Sequence, residues 1–293
     1  MKANMKRDYV VLSMYLMGAT SLLLSSWDIW GCSILTTQTP LVWNHGANVT
    51  LVTAIYDLGR LDRSFDSTYA HWINETIMAT PAPFVVFCHE KHVHLIPQLA
   101  RVRVIIQNTL PLYSLQSQIY QIVSSQHDKD ENYSPEFMNN EYLLLTYSKF
   151  KWLQQAITLD PFRTSHFFWA DAGLCRFFSG PVTAFTPRFL HPSRVVIQQY
   201  NFDKSMTCLT ENDVVWGTSR AWLAAGYFGG ERIRIWRLCK SVLFMLRHEM
   251  LPYNIADNEQ MALSLLYIRH PQWFRVVTFS DFNLSKPHMY ITL

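Results

Sequence analysis

The sequence predicts an α/β fold, a single domain in which a mostly parallel central sheet is flanked by helices. Three observations carry the prediction. Short apolar runs recur along the chain, each closed by Pro, Gly, Asp or Asn, as buried strands are. Segments with helical spacing alternate with them, and strand–helix–strand order favours parallel pairing. The third is the stretch Phe167-Phe168-Trp169-Ala170-Asp171-Ala172-Gly173, where four uncharged residues run straight into a carboxylate. It reads as a strand buried on both faces, with an acid at its carboxyl end, where open α/β sheets take ligands.

The elements follow in order. Val49 to Tyr56 is β-branched and apolar, a strand closed by Asp57-Leu58-Gly59-Arg60. Residues 66–79 place Tyr69, Trp72, Ile73 and Ile77 at helical spacing. Phe84 to Cys88 and Val102 to Gln107 are two further strands, punctuated by Pro81, Pro83 and Pro111. Residues 124–135 are polar and read as an exposed loop. A long helix over about 137–158 buries Phe137, Tyr142, Leu145, Phe150, Leu153 and Ile157, and the strand ending at Asp171 follows it. Val195 to Tyr200 and Val214-Val215-Trp216-Gly217 are strand candidates. Arg232 to Met250 is helical, entered through Phe228-Gly229-Gly230, and residues 257–269 form a helix capped by Asp257 or Asn254. Phe274 to Phe279 is a last strand before the tail. His89, His92 and His94 invite a metal reading, but at period two His92 and His94 share a face without a third ligand, so they read as a loop.

Composition sets the bounds. Hydrophobic residues make up 49% of the 293 residues, enough for one sizeable core. A net charge of +3, with no basic run beyond the first seven residues, argues against a nucleic-acid partner. The five cysteines are far apart and contain no CxxC pair, which argues against a thiolate zinc site. Lys2, Lys6 and Arg7 precede an uncharged run from Tyr9 to Trp27, near the roughly 20 residues a membrane helix needs. Residues 1–47 are therefore read as a hydrophobic segment with a stem, and residues 48–293 as one domain. The run is a signal anchor, making a single-pass membrane protein of the secretory pathway, a cleaved signal peptide, or a helix of a cytoplasmic fold, an alternative its serines support. The sequons at Asn48, Asn74, Asn132 and Asn283 do not decide between them.

The chemical candidates cluster near these strand ends. Asp171 either holds a divalent cation against a diphosphate or caps the next turn. Asp57 and Arg60 sit just past the first strand, where a carboxylate takes ribose and an arginine takes phosphate, or where both belong to a solvated loop. Lys149 lies mid-helix between aromatics and either points its ammonium into a cleft or snorkels to the surface. Asp257 and Glu259 open a helix, where one can cap while the other deprotonates an acceptor hydroxyl. Lys286 and His288 in the tail are candidates for a leaving-group contact and a metal ligand. No P-loop, GxGxxG, HExxH or GxSxG motif competes.

These motifs stand in a characteristic order. Val52-Thr53-Ala54-Ile55-Tyr56-Asp57-Leu58-Gly59-Arg60, Ser148-Lys149-Phe150, Trp169-Ala170-Asp171-Ala172-Gly173, Phe228-Gly229-Gly230 and Asp257-Asn258-Glu259-Gln260 together resemble the bacterial HtrL/YibB-type family over roughly residues 48–282. The resemblance implies a GT-A-like fold, a nucleotide-sugar-binding α/β domain, and glycosyl transfer from a UDP-sugar donor to a glycan or other hydroxyl acceptor, assisted by Mn²⁺ or Mg²⁺. It implies that Asp171 is the metal carboxylate, that Lys149 contacts the diphosphate, and that Asp57 and Arg60 contact the nucleotide. Gly229 and Gly230 would leave room for sugar or acceptor, and Asp257 or Glu259 would be the base or a sugar contact. One departure stands out: the segment has a single acid where many GT-A enzymes carry Asp-x-Asp. A carbohydrate- or nucleotide-binding protein without turnover is the alternative expectation.

Overall fold

The computed structural model describes residues 48–59, 65–127, 140–177, 191–199, 210–211, 214 and 222–277. Strand β1 (Val49–Ile55) is followed by helix α1 (Ala70–Ala79), then β2 (Phe84–Cys88) and β3 (Val102–Ile106). Helices α2 (Gln116–His127) and α3 (Asn140–Leu159) lead to β4 (His166–Ala170). Strands β5 (Val195–Gln199) and β6 (Leu223–Glu231), helices α4 (Arg232–Met245) and α5 (Glu259–Arg269), and β7 (Phe274–Val277) complete the described chain.

The strands form one seven-stranded sheet in the order β3-β2-β1-β4-β6-β5-β7. The pairs β1/β2, β2/β3, β1/β4 and β5/β7 are parallel, whereas β6 is antiparallel to both neighbours. The sheet is therefore mixed. The chain builds outward from β1 to β3, then crosses back through α2 and α3 to lay β4 on the other side of β1. The carboxyl ends of β1 and β4 are thus adjacent at the point where strand order reverses, the ligand position of open α/β sheets.

Side chains alternate between two cores. Val52, Val85, Phe87, Phe167, Trp169 and Phe228 face a layer that includes α3, α4 and α5. Val49, Leu51, Ile55, Phe84, Val86 and Phe168 face Ile73 and Ile77 of α1. Period-two alternation with both faces covered explains why these strands read as continuous apolar runs.

Strand β6 corrects the sequence reading, which took Phe228-Gly229-Gly230 as a helix lead-in. Its composition, Leu-Ala-Ala-Gly-Tyr-Phe-Gly-Gly-Glu, lacks the β-branched signal of a strand. The glycine at 229 is required by packing: a Cβ there would lie 2.1 Å from Cγ of Phe168, its register partner on β4. The helix predicted from about 137 is described from Asn140 and is buried nearly all round, Lys149 included. The strand expected at 214–217 is described only at Val214, which is helical. Helix α5 is capped by neither Asp257 nor Asn254. Asn258 does it, its Oδ1 accepting from the Gln260 N–H at 3.0 Å. Asn254, at φ 56°, instead ends the turn Leu251–Tyr253.

At the amino end of β4 three segments are tied together. Asn48 accepts from Ser165 N–H through its side chain (2.8 Å) and from His166 N–H through its carbonyl (3.1 Å). Arg232, the first residue of α4, donates its N–H to Ser165 O at 2.9 Å, and its guanidinium bonds Asp160 and the Thr164 carbonyl. Among the described residues no helix is long and apolar enough to cross a membrane; the run 9–27 lies outside them.

Candidate functional site

Helix α3 stacks Lys149, Trp152 and Ala156 on the face it turns to the sheet, at spacings of three and four. Trp152 is fully buried and stacks near-parallel to its ring neighbours, Phe87 of β2 among them. Tyr56, just past β1, is 5.2 Å away with planes 15° apart, and Trp169 of β4 is 6.0 Å away at 9°. The stack therefore bridges the carboxyl ends of β1 and β4. Lys149, one turn earlier, brings its ammonium to 5.6 Å from the Trp169 ring.

Two residues beyond Trp169 the same side of the strand carries Asp171, and the indole N–H donates to Asp171 Oδ1 at 2.7 Å. The Asp171 backbone N–H bonds Gly226 O of β6 at 2.8 Å, which fixes the strand end. Lys149 Nζ lies 3.2 Å from the same Oδ1, 2.6 Å from Glu259 Oε1, and donates to Ala225 O at 3.3 Å. Glu259 is the first residue of α5, where the helix dipole favours an acid, and its side chain is buried, as is that of Lys149. Asp171 is the open member of the trio, 44% exposed at the side chain. Burial opposes the charge on Lys149, but the carboxylates of Asp171 and Glu259 outweigh it and hold the ammonium well above its ordinary value.

Asp257, two residues before Glu259, is buried, and its Oδ1 accepts from the Asn258 N–H at 2.7 Å. Tyr147, two residues before Lys149 on α3, donates to Asn258 O at 3.2 Å. Burial, then the charges of Asp257 and Glu259, push its hydroxyl well up, so it stays a neutral donor. Asp57 is exposed past the end of β1, where its Oδ1 accepts from the Gly59 N–H at 2.8 Å, with Gly59 at φ +64°.

Thus Lys149, Asp171 and Glu259, far apart in sequence, meet in one cluster, with Asp257 buried just ahead of α5 and Asp57 at the neighbouring strand end. Arg60, Lys286 and His288 lie outside the described residues. Gly229 and Gly230 are corrected: they belong to the other half of antiparallel β6, paired with Phe168 and Phe167, away from Asp171. Their missing side chains are filled by Phe168 and by the Arg194 carbonyl, so they leave no room for a sugar. At Gly173 the close neighbours are the Trp72 ring and the Arg176 guanidinium. Sequence reasoning missed the roles of Trp169, Tyr147 and Trp152. The spacing Trp169-x-Asp171 held a signal for the first, since alternate residues of a strand share a side; the other two depend on which face of α3 meets the sheet.

Among the described residues no group of three or more His, Cys, Asp or Glu is arranged to hold a metal. At the mouth, Asp171 offers one carboxylate whose Oδ1 is taken by Trp169 and Lys149 and whose Oδ2 is left over. That fits a hard cation of the kind held by one or two carboxylates together with substrate phosphates.

Fold and cluster together define an α/β protein with a charged site at the switch point of a mixed sheet. The chain belongs to the HtrL/YibB family: the model of that family, described as a bacterial protein of unknown function, matches residues 47–286. A comparison with curated proteins gave no match.

Proposed function

We propose that the protein is a glycosyltransferase that moves a sugar from a nucleotide diphosphate donor, a UDP-sugar in the first instance, to a glycan or other hydroxyl acceptor. One observation carries this reading: the buried Lys149 ammonium, clasped by Glu259, stands 3.2 Å from the half-exposed Asp171 where β1 and β4 end. A cation locked in place needs no reorganisation when negative charge develops on a departing diphosphate. Asp57 offers a carboxylate to ribose hydroxyls at the next strand end. Asp171, through Oδ2, is the ligand available to Mn²⁺ or Mg²⁺, which when bound neutralises and aligns the diphosphate. In the transfer, the bond from the anomeric carbon to the diphosphate oxygen breaks, the bond to the acceptor oxygen forms, and the acceptor proton leaves with the diphosphate. Asp257 and Glu259 were both candidate bases. Both are buried, and Glu259 is committed to Lys149. Glu259 is accordingly assigned to positioning the ammonium, and the arrangement favours a reaction that needs no separate base.

The test is a mass-spectrometric screen of UDP- and GDP-sugars with the full chain and Mn²⁺. Donor hydrolysis or transfer is expected, falling at least 100-fold in Asp171→Asn and in Lys149→Met. No product and no calorimetric binding with any donor would overturn the reading. The burial of both acids also favours a second one, a nucleotide-sugar- or carbohydrate-binding protein without turnover. Binding with no product, unchanged in Asp257→Asn, would establish that instead.

A further inference from the structure

Helix α4 and the turn after it, Leu246–Met250, bury one side and expose another. Ile235, Leu238, Cys239 and Val242 enter the core. The outer side carries Ile233, Arg237, Lys240, Phe244, Arg247 and His248, all exposed, with Ile233 at 53% and Phe244 at 39%. Steps of three and four residues align them in one stripe. Aromatic rings flank the cations: Lys240 stands 6.0 Å from the Trp236 ring and Arg237 6.0 Å from that of Trp273.

Among the described residues the charge on this face is uncompensated. Residues 232–250 hold five Arg or Lys, of which Arg232 pairs with Asp160 and Arg234 with Glu231, leaving Arg237, Lys240 and Arg247 on the outer face. The nearby acids are engaged elsewhere, Glu231 with Arg234 at 3.7 Å and Glu249 with Arg269. Among the described residues no carboxylate pairs with Arg237, Lys240 or Arg247.

A second, independent observation names the occupant. The helix begins where the N-terminal 47 residues join the domain, since Ser165 bonds both Asn48 and Arg232. Those residues contain the uncharged run Tyr9 to Trp27 behind Lys2, Lys6 and Arg7. A basic stripe with exposed aliphatic and aromatic groups thus starts beside Asn48, the residue to which a sequence containing a bilayer-length apolar run is joined.

We propose that the outer face of α4 docks on an anionic bilayer surface. Arg237, Lys240 and Arg247 meet lipid phosphates, while Ile233 and Phe244 enter the boundary between headgroups and acyl chains. Trp236 and Trp273 suit the same depth. The proposal is independent of the nucleotide site.

The test is partitioning of the full chain onto phosphatidylcholine vesicles with and without phosphatidylglycerol, measured by co-sedimentation. The protein is expected to prefer anionic vesicles. Arg237→Gln/Lys240→Gln/Arg247→Gln should weaken that binding roughly 100-fold, about fivefold for each basic side chain. Ile233→Ser/Phe244→Ser should weaken it roughly tenfold. Should the triple variant fail to fold by circular dichroism, Lys240→Gln alone carries the test through its fivefold effect. Equal partitioning to neutral and anionic vesicles, or unchanged partitioning of folded variants, would overturn the proposal. So would an oligonucleotide that displaces the protein from vesicles through the same three side chains, since the face would then be a nucleic-acid surface.

Discussion

Replacing Lys149 with Met removes the cation on which two carboxylates converge. Methionine fills nearly the same space, so the loss is electrostatic. Glu259 keeps 3% side-chain exposure and loses its 2.6 Å partner, which leaves a buried charge unmatched. Breaking such a pair from one side destabilises by about 3–5 kcal/mol. Asp171, at 44% exposure, is screened by water and adds less than about 1 kcal/mol. The sum is a large share of the roughly 5–15 kcal/mol that holds a domain together. Urea unfolding followed by circular dichroism measures it, as a drop of about 1–2 M in midpoint. The double variant Lys149→Met/Glu259→Gln should regain most of the loss, because the orphaned charge is gone. A single variant within about 0.5 kcal/mol of the parent, or a double variant as unstable as the single, would refute the reasoning.

The pH dependence of that difference follows from linkage. Lys149 has a folded-state value raised above its ordinary 10.5, so its contribution is complete below pH 10.5 and is lost as pH climbs above it. The stability margin of the parent over Lys149→Met should narrow as pH climbs above 10.5, read from urea midpoints. Gly229→Ala should lower stability by about 3 kcal/mol or more, since Phe168 and the Phe167 carbonyl lie 2.1 and 2.6 Å from its new methyl group; Gly230→Ala, with 3.0 Å to the Arg194 carbonyl, should be milder, and thermal unfolding ranks the two. Burial pushes the Cys88 thiol up to about 11 and Cys239 higher still, so alkylation at pH 8 should spare both in the native protein and reach them in urea, as peptide mass spectrometry would show.

Much of this framework was legible in the chain. The run at 102–107 announced β3, a half-buried edge strand that carries Arg103, through its β-branched residues, and the runs at 49–56 and 84–88 announced β1 and β2 because burial on both faces demands near-continuous apolar residues. Asp171 was legible for the same reason: a carboxylate after such a run has to sit at a strand end. Strand β6 was hidden because its glycines answer to Phe168 on the next strand, a demand that no window of local sequence contains. Lys149 was half visible. Its aromatic neighbours suggested an inward course, but the partner that keeps it there, Glu259, is set by how α5 returns over β6. The stripe on α4 escaped notice because its cations are spread over eleven positions and become neighbours only when wound into a helix.

The antiparallel strand also dictates an order of assembly. Among the described strands β4 and β5 never touch; each pairs with β6, which is made after both. A nascent chain on the ribosome that has reached residue 222 can zip β3-β2-β1-β4, but it ends in a bare β4 edge, and β5 has no seat beside it. Ala225 and Glu259, which hold the Lys149 ammonium, emerge later still. The protein therefore cannot acquire its charged site piecemeal during synthesis: the last third of the chain closes the sheet and sets the lysine in the same event.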